Sequence, residues 1–278
     1  NLAGWPDRAV LRRCSTTDRG VQMRIVCLGD SFTEGLCDQT RPDGQYLGWA
    51  DRVAAGLPGP VTYANLAVRG KLLDQVVSEQ IPAAHTLAPD ILTFHAGGND
   101  VLRRRTDPKD LFTRYDAAVA RLVAPQRRVL VFTSLSRTGG TGRLANAIAL
   151  RFAAFNNNVR RVAARHGAEV VDLDDVPALS DRRLWNDDRL HLNPQGHARV
   201  AAAVLETLGI DSDDSGWWRQ PLPPPPPARR RDELTADLSW ARNHFAPWVW
   251  RRVRGVSSGD GRTAKDPVLR AAETTGGQ

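Results

Sequence analysis

The chain has 278 residues, long enough for one α/β domain of about 200 residues with extensions, and its 41% apolar content is enough for a substantial core. No run approaches the roughly 18 uninterrupted apolar residues of a membrane span. The net charge of +7 sits mostly at the ends, +2 on residues 1–22 and +4 on residues 228–278; the nearly neutral remainder excludes a basic globular face for nucleic acid.

Residues 1–22 are polar, carry Trp5-Pro6 and four arginines, and lack the apolar core of a secretory signal. Met23 is the only methionine and stands directly before the first apolar run. The expectation is that the natural protein starts there, that residues 1–22 are a non-native or disordered extension, and that the protein is cytoplasmic. Three cysteines, Cys14, Cys27 and Cys37, show no CxxC or Cys/His spacing, so neither a disulfide framework nor a zinc site is indicated.

Residues 24–28 (RIVCL) form a short β-branched run ended by glycine, the pattern of a buried parallel strand, with Cys27 as a small core residue. GDSFTEG (29–35) follows, placing Ser31 just past a strand's carboxyl end, where open α/β sheets put reacting groups. The competing reading of Ser31 with Glu34 is a helix-capping box. Cys37 is near enough to line a pocket at Ser31, but no motif supports it as a nucleophile. Helical spacing covers 48–56, a second strand 61–67, and a helix of about 15 residues starts at Lys71. A third strand, 91–95, ends in GGND (97–100). A helix over 107–123 leads to a fourth strand, 128–135. A glycine loop at 139–142 opens a helix through 165; 168–173 is the fifth strand, and HLNPQGH (191–197) precedes a last helix to 208.

Five apolar strands alternating with helices indicate a parallel sheet covered on both faces, closing near Ile210 as a domain over 23–210. Beyond it, 211–228 reads as a proline-rich linker and 229–254 as an amphipathic basic helix bearing Leu234, Leu238, Trp240 and Phe245, broken at Pro247. Residues 255–278 are expected to be disordered.

Four polar or glycine clusters fall at or just past strand ends: GDSFTEG, NLAVRG (65–70), GGND and DDRLHLNPQGH (187–197). Together they supply acyl-transfer chemistry, in which a serine needs a base, the base an orienting acid, and the oxyanion preorganised donors. His191 is the best base. Asp188 stands three residues before it, close enough in a tight turn to accept from the imidazole, and Asp187 competes for that role less well. The N–H groups of Ser31 and Gly70 and the side-chain amide of Asn99 are candidate oxyanion donors.

With these four blocks in order, residues 23–210 resemble the SGNH (GDSL-type) hydrolase family, with its lysophospholipase-like esterases. The resemblance implies a flavodoxin-like α/β/α sandwich with a five-stranded parallel sheet. It implies Ser31 as nucleophile, His191 as base, Asp188 as its partner, and Ser31, Gly70 and Asn99 as the oxyanion hole. Asp30 and Gly98 are supporting residues, Asp30 as an acceptor for backbone N–H groups of the nucleophile turn. GDSF differs from the G-x-S-x-G elbow of α/β-hydrolases. Asp100 is expected to cap the helix that follows it, and His95 and His197 to be packed. Arg103, Arg104 and Arg105 are expected to be a solvated helix start; a substrate-facing role is the alternative. His85, His166 and His244 have no motif.

The activity implied is hydrolysis of a small-molecule carboxylic ester through an acyl-enzyme, without metal or cofactor, on short- to medium-chain acyl esters, lysophospholipids or thioesters. An acyltransferase using the same triad, or a carbohydrate acetyl esterase, is the alternative. For the tail, packing of its tryptophans on the domain is preferred over weak peripheral membrane contact through Trp240, Trp248, Trp250 and the adjoining arginines.

Overall fold

The computed structural model describes residues 22–135, 142–210, 216–225, 235, 237–247, 250, 254 and 257–272. Its centre is a six-stranded sheet of β1 (Met23–Gly29), β2 (Val61–Asn65), β3 (Ile91–His95), β4 (Arg128–Phe132), β5 (Glu169–Val171) and β6 (Asp266–Ala271), in the order β5-β4-β3-β1-β2-β6. The first five strands are parallel and follow the flavodoxin-like order. β6 runs antiparallel to β2.

Alternate residues of β1 enter opposite cores, because strand side chains point to opposite faces. Ile25 and Cys27 join Tyr63 and Phe132 beneath α2 (Gly48–Gly56) and α7 (Pro194–Thr207). Val26 and Leu28 join Phe94 and Val131 on the other face. That face is covered by α3 (residues 73–86), α5 (Pro108–Leu122) and α6 (Arg143–His166). Here α3 comprises the abutting turns Leu73–Gln75, the π-helical Val76–Gln80, and Ile81–Thr86. The result is the expected three-layer sandwich. Helix starts follow capping chemistry: Asp107 accepts from the N–H of Lys109 ahead of Pro108, and Asn193 from that of Gly196 around Pro194.

The C-terminal part departs from expectation. Residues 257–272 are ordered, and the sheet has six strands rather than five. The cause is a buried charge cluster that the run of small and polar residues conceals. Asp266 takes hydrogen bonds from Arg41 and Arg270. Lys265 donates to Asp51 at 2.6 Å and to the carbonyls of Tyr46 and Leu47. Arg41, Arg270 and Tyr63 also bond Asp51, at 3.0, 2.8 and 3.1 Å. These pairs fasten β6 along the edge of β2. Residues 255, 256 and 273–278 lie outside the described residues, as do residues 1–21.

The domain does not close at Ile210 either. Trp218 is 3% exposed against the α7 core. Its indole N–H donates to Glu206 at 2.7 Å, and Arg199 donates to the carbonyls of Trp218 and Gln220. Of the expected linker, 221–225 has no regular secondary structure, and 211–215 and 226–228 lie outside the described residues.

In the expected amphipathic helix, residues 237–247 are helical with a π-turn at Ala241–Phe245. Ala246 and Pro247 are helical, as is Trp250; residues 248, 249 and 251–253, on which the expected break at Pro247 depends, lie outside the described residues. Proline lacks the N–H that would bond four residues back, and the wider π-turn changes the bonding register just before it. Leu238 is 73% exposed, so it does not form an apolar packing stripe. Leu234 and Trp248 lie outside the described residues, as does the side chain of Phe245. No helix among the described residues is long and apolar enough to cross a membrane.

Candidate active site

β1 and β3 are neighbours, and the chain leaves them towards opposite sides of the sheet, which opens a crevice at their carboxyl ends. Ser31 follows β1 and Asn99 follows β3 at that crevice. The nucleophile turn is held from below. Gly29 accepts from the Gln80 side-chain amide at 2.9 Å and donates to its carbonyl oxygen at 2.8 Å. Gln80 comes from the π-helical part of α3, so a buried backbone pair is satisfied by one side chain.

The capping-box reading of Ser31 gives way here. Asp30 caps the short helix α1 (Ser31–Glu34), accepting from the N–H of Phe32 at 3.1 Å. Glu34 turns to the next loop and accepts from the Arg69 N–H at 2.7 Å and from its guanidinium. Ser31 is then the first helical residue, and its hydroxyl lies 3.0 Å from His191 Nε2. Its own N–H, at a helix start, has no intrahelical acceptor. Gly35 ends α1 at φ +91°, where a Cβ would come within 2.4 Å of Gly48 Cα; only glycine lets α1 and α2 approach so closely.

His191 lies in a closed turn. Trp185 and Leu192 bridge its ends, and the Asn186 N–H bonds the His191 carbonyl at 2.8 Å. Asp188 Oδ1 accepts from the N–H groups of Leu190 and His191, at 2.9 and 3.0 Å. Asp188 Oδ2 lies 2.6 Å from His191 Nδ1. Burial pushes the Asp188 carboxyl up, but the hydrogen bond and charge of His191 and the two backbone N–H groups outweigh it. They hold the carboxyl well below the usual carboxylate range. Asp187, by contrast, is 95% exposed and 3.9 Å from Arg182. The turn requires Arg189 at φ +58°, a left-handed conformation unusual for a long side chain.

The expected oxyanion donors are close but not equally available. Gly70 adopts φ +75° in the loop that Glu34 anchors through Arg69. Both amide hydrogens of Asn99 are engaged, one on Asp30 Oδ2 at 3.1 Å and one on the Lys71 carbonyl at 3.0 Å. To serve as the expected oxyanion donor, Asn99 must exchange one of these bonds for the new acceptor. Gly98, at the start of α4 (Gly98–Val101), leaves room beside Ser134, His95 and Phe152.

Asp100 caps a different helix from the one expected, accepting from the Leu73 N–H of α3 at 2.9 Å. Its burial pushes its carboxyl up. His95 is buried against Phe32, with Nδ1 3.5 Å from Asp30 Oδ1. His197 is buried in α7 and lies 3.1 Å from the Leu36 carbonyl; burial lowers it to about 4, so it is neutral and donates from Nε2. Arg103, Arg104 and Arg105 are exposed.

Cys37 meets Asp188 rather than Ser31, with Sγ 3.8 Å from Oδ2 and accepting from Asn186 at 3.1 Å. Burial first, and then the Asp188 charge, pushes its thiol up to about 12. Cys37, Asp188 and His191 are the one group with metal-ligand spacing among the described residues, their ligand atoms within 4.8 Å. An ion there would have to displace the proton shared by Asp188 and His191.

Sequence reasoning missed Gln80, the Glu34–Arg69 link and the particular partner of Trp240, whose indole N–H donates to the Asp188 carbonyl at 2.9 Å, in keeping with the expected packing of that side chain on the domain. Glu34 was visible within GDSFTEG, where its spacing from Ser31 suggested a capping box instead. Gln80 and Trp240 had no local signal, since their partners are 51 and 52 residues away.

The profile of the GDSL-like lipase/acylhydrolase family matches residues 27–199. No curated protein sequence matches the chain. Among solved structures, an alpha/beta hydrolase enzyme from the metagenome of Lake Arreo, Spain, aligns at TM-score 0.56 and 25% identity, covering 68% of this chain and 97% of that one. The lipase/acylhydrolase of Enterococcus faecalis aligns at TM-score 0.56 and 20% identity, over 68% and 96%. A variant of an acetyl xylan esterase from Geobacillus stearothermophilus aligns at TM-score 0.54 and 20% identity, over 70% and 99%.

Proposed function

Since the chain belongs to the GDSL-like lipase/acylhydrolase family, we propose that it is a serine esterase that hydrolyses carboxylic esters through an acyl-enzyme. The observation that carries this reading is the continuous chain of contacts from Ser31 Oγ to His191 Nε2, 3.0 Å, and from His191 Nδ1 to Asp188 Oδ2, 2.6 Å.

In the proposed reaction His191 Nε2 takes the Ser31 proton as Oγ attacks the ester carbonyl carbon. Asp188, ionised at neutral pH, accepts from Nδ1, which fixes the tautomer and stabilises the imidazolium. The carbonyl oxygen, now an oxyanion, is received by the N–H groups of Ser31 and Gly70. Asn99 joins them by exchanging its bond to the Lys71 carbonyl for one to the oxyanion, a contact stronger in the transition state than before it. Collapse expels the alcohol, which takes its proton from His191. Water, activated by the same imidazole, then releases the acid and restores Ser31.

The substrates this reading covers are short- to medium-chain acyl esters, with lysophospholipids and thioesters as further members of the class. One structural neighbour is an acetyl xylan esterase, which adds acetylated sugars to the panel. The test is hydrolysis of p-nitrophenyl esters from acetate to palmitate by wild type and Ser31→Ala. The expected result is a chain-length optimum in the wild type and loss of at least about 10³ in kcat for the variant. Wild-type rates in Ser31→Ala would sink the assignment. Adding an alcohol acceptor and weighing ester against acid product separates hydrolysis from acyl transfer.

A further inference from the structure

Two segments of the chain beyond residue 199, where the family match ends, touch the two loops on which the proposed chemistry depends. From the helical segment 237–247, the Trp240 indole N–H donates to the Asp188 main-chain carbonyl at 2.9 Å. The guanidinium of Arg189 lies over the same indole, 4.9 Å from its centroid, and pairs with Asp237 at 2.6 Å. Asp188 and Arg189 are the two residues whose backbone shapes the His191 turn. A left-handed Arg189 persists only where its surroundings hold it, and Trp240 and Asp237 are among those surroundings.

The turn at 257–259 makes the second contact. Ser257 Oγ donates to the Gly70 carbonyl at 3.4 Å. A Cβ on Gly70 would lie 2.3 Å from that oxygen, and one on Gly259 would lie 1.9 Å from the Arg69 carbonyl oxygen, so the two backbones are in direct contact. The following residues are anchored by Lys265 and β6 on the sheet edge. Residues that follow the catalytic domain in sequence therefore bear on both halves of its site.

We propose that Trp240 is a positioning residue for the Asp188–His191 pair, and that the C-terminal segment acts as a strap setting the geometry of both the base turn and the Gly70 loop. This rests on the Ser31–His191–Asp188 reading. The direction of the Asp188 carboxylate follows from its main chain, because its Oδ1 is tied to the N–H groups of the same turn and its Oδ2 to His191. A bond that fixes the Asp188 carbonyl therefore fixes the acid–base contact. Trp240 touches neither Ser31 nor the reacting atoms, and it acts through the turn.

The experiment compares full-length wild type, Trp240→Phe, Asp237→Asn and Ser31→Ala. The readouts are the second-order rate of serine labelling by a fluorophosphonate probe, kcat and KM on p-nitrophenyl acetate across pH, and thermal unfolding. Trp240→Phe keeps a ring under Arg189 and removes the N–H. It is expected to lower kcat and the labelling rate about tenfold with KM little changed. The loss in kcat is expected at every pH tested, because a carboxylate that is less well aimed orients the imidazole less well. Asp237→Asn is expected to shift both readouts in the same direction by a smaller factor.

If Ser31→Ala is inert while both strap variants keep wild-type rates across pH, the strap is overturned and the triad stands. A lower melting temperature in the strap variants with rates unchanged across pH overturns it equally, since it leaves Trp240 with a structural role only. If Ser31→Ala is labelled and active like wild type, the triad reading itself fails.

Discussion

At the scale of single residues, the site separates two neighbouring aspartates by burial and bonding. Asp188 accepts from His191 Nδ1 and two backbone N–H groups, whereas Asp187 projects into solvent. Asp188→Asn is accordingly expected to lower kcat by about 10³–10⁴, by stabilising the wrong imidazole tautomer. Asp187→Asn is expected to stay within twofold of wild type, both on p-nitrophenyl acetate. The pH profile carries a sign. The Asp188 carboxyl is held well below the usual range, so it stays ionised throughout mildly acidic solution. Asp188 should therefore add no proton to the acid limb of kcat/KM, whose slope should not exceed one; a slope of two would mean that Asp188 titrates there. The same depressed value means that its contribution to folding is fully present above about pH 4 and declines as pH falls through the folded-state value. Ser31, Asp188 and His191, which the structure brings into contact, were legible as a set because each lies within a short motif at or just past a strand end. The commitment of Asn99 to Asp30 and Lys71 was not, because hydrogen-bond choice among nearby acceptors is set by tertiary distance.

At the scale of elements, the five parallel strands were readable because burial on both faces leaves an almost uninterrupted apolar signature. β3 (Ile91–His95) coincides with its expected bounds, and α2 (Gly48–Gly56) likewise. β6 was unreadable for the opposite reason. Asp266 to Ala271 has a largely exposed face, including Val268, and its hold on the sheet comes from charges distributed over Arg41, Asp51, Lys265 and Arg270. Loop anchoring also belongs to this scale. Glu34 and Arg69 are both largely buried, and their pair connects α1 to the Gly70 loop. Glu34→Gln leaves the guanidinium without its counter-charge and is expected to cost on the order of 3 kcal/mol of stability. Because the Gly70 loop loses its tether, kcat should fall more than KM rises; urea unfolding and steady-state kinetics on the same preparation measure the two effects separately.

At the scale of the whole molecule, the sheet has one edge at β5 and the other at β6, and β2 is covered by a strand from the far end of the chain. Asp266→Ala removes the acceptor shared by Arg41 and Arg270. Hydrogen exchange should then quicken in the β6 amides while β1, buried between β2 and β3, keeps its protection. Equal loss in both strands would mean that β6 unfolds only with the whole domain. The sheet order also has a consequence for how the protein is made. Chains emerge from the ribosome amino end first, at about 5–20 residues per second. The β2 edge and the charges of Arg41 and Asp51 are therefore complete well before Lys265, Asp266 and Arg270 exist to cover them. During that interval the nascent domain presents an unpaired strand edge, a feature that recruits chaperones or neighbouring chains. Because Ser257 and Gly259 lie on the route to β6 and touch the Gly70 loop, the site acquires its final shape only when synthesis has passed them.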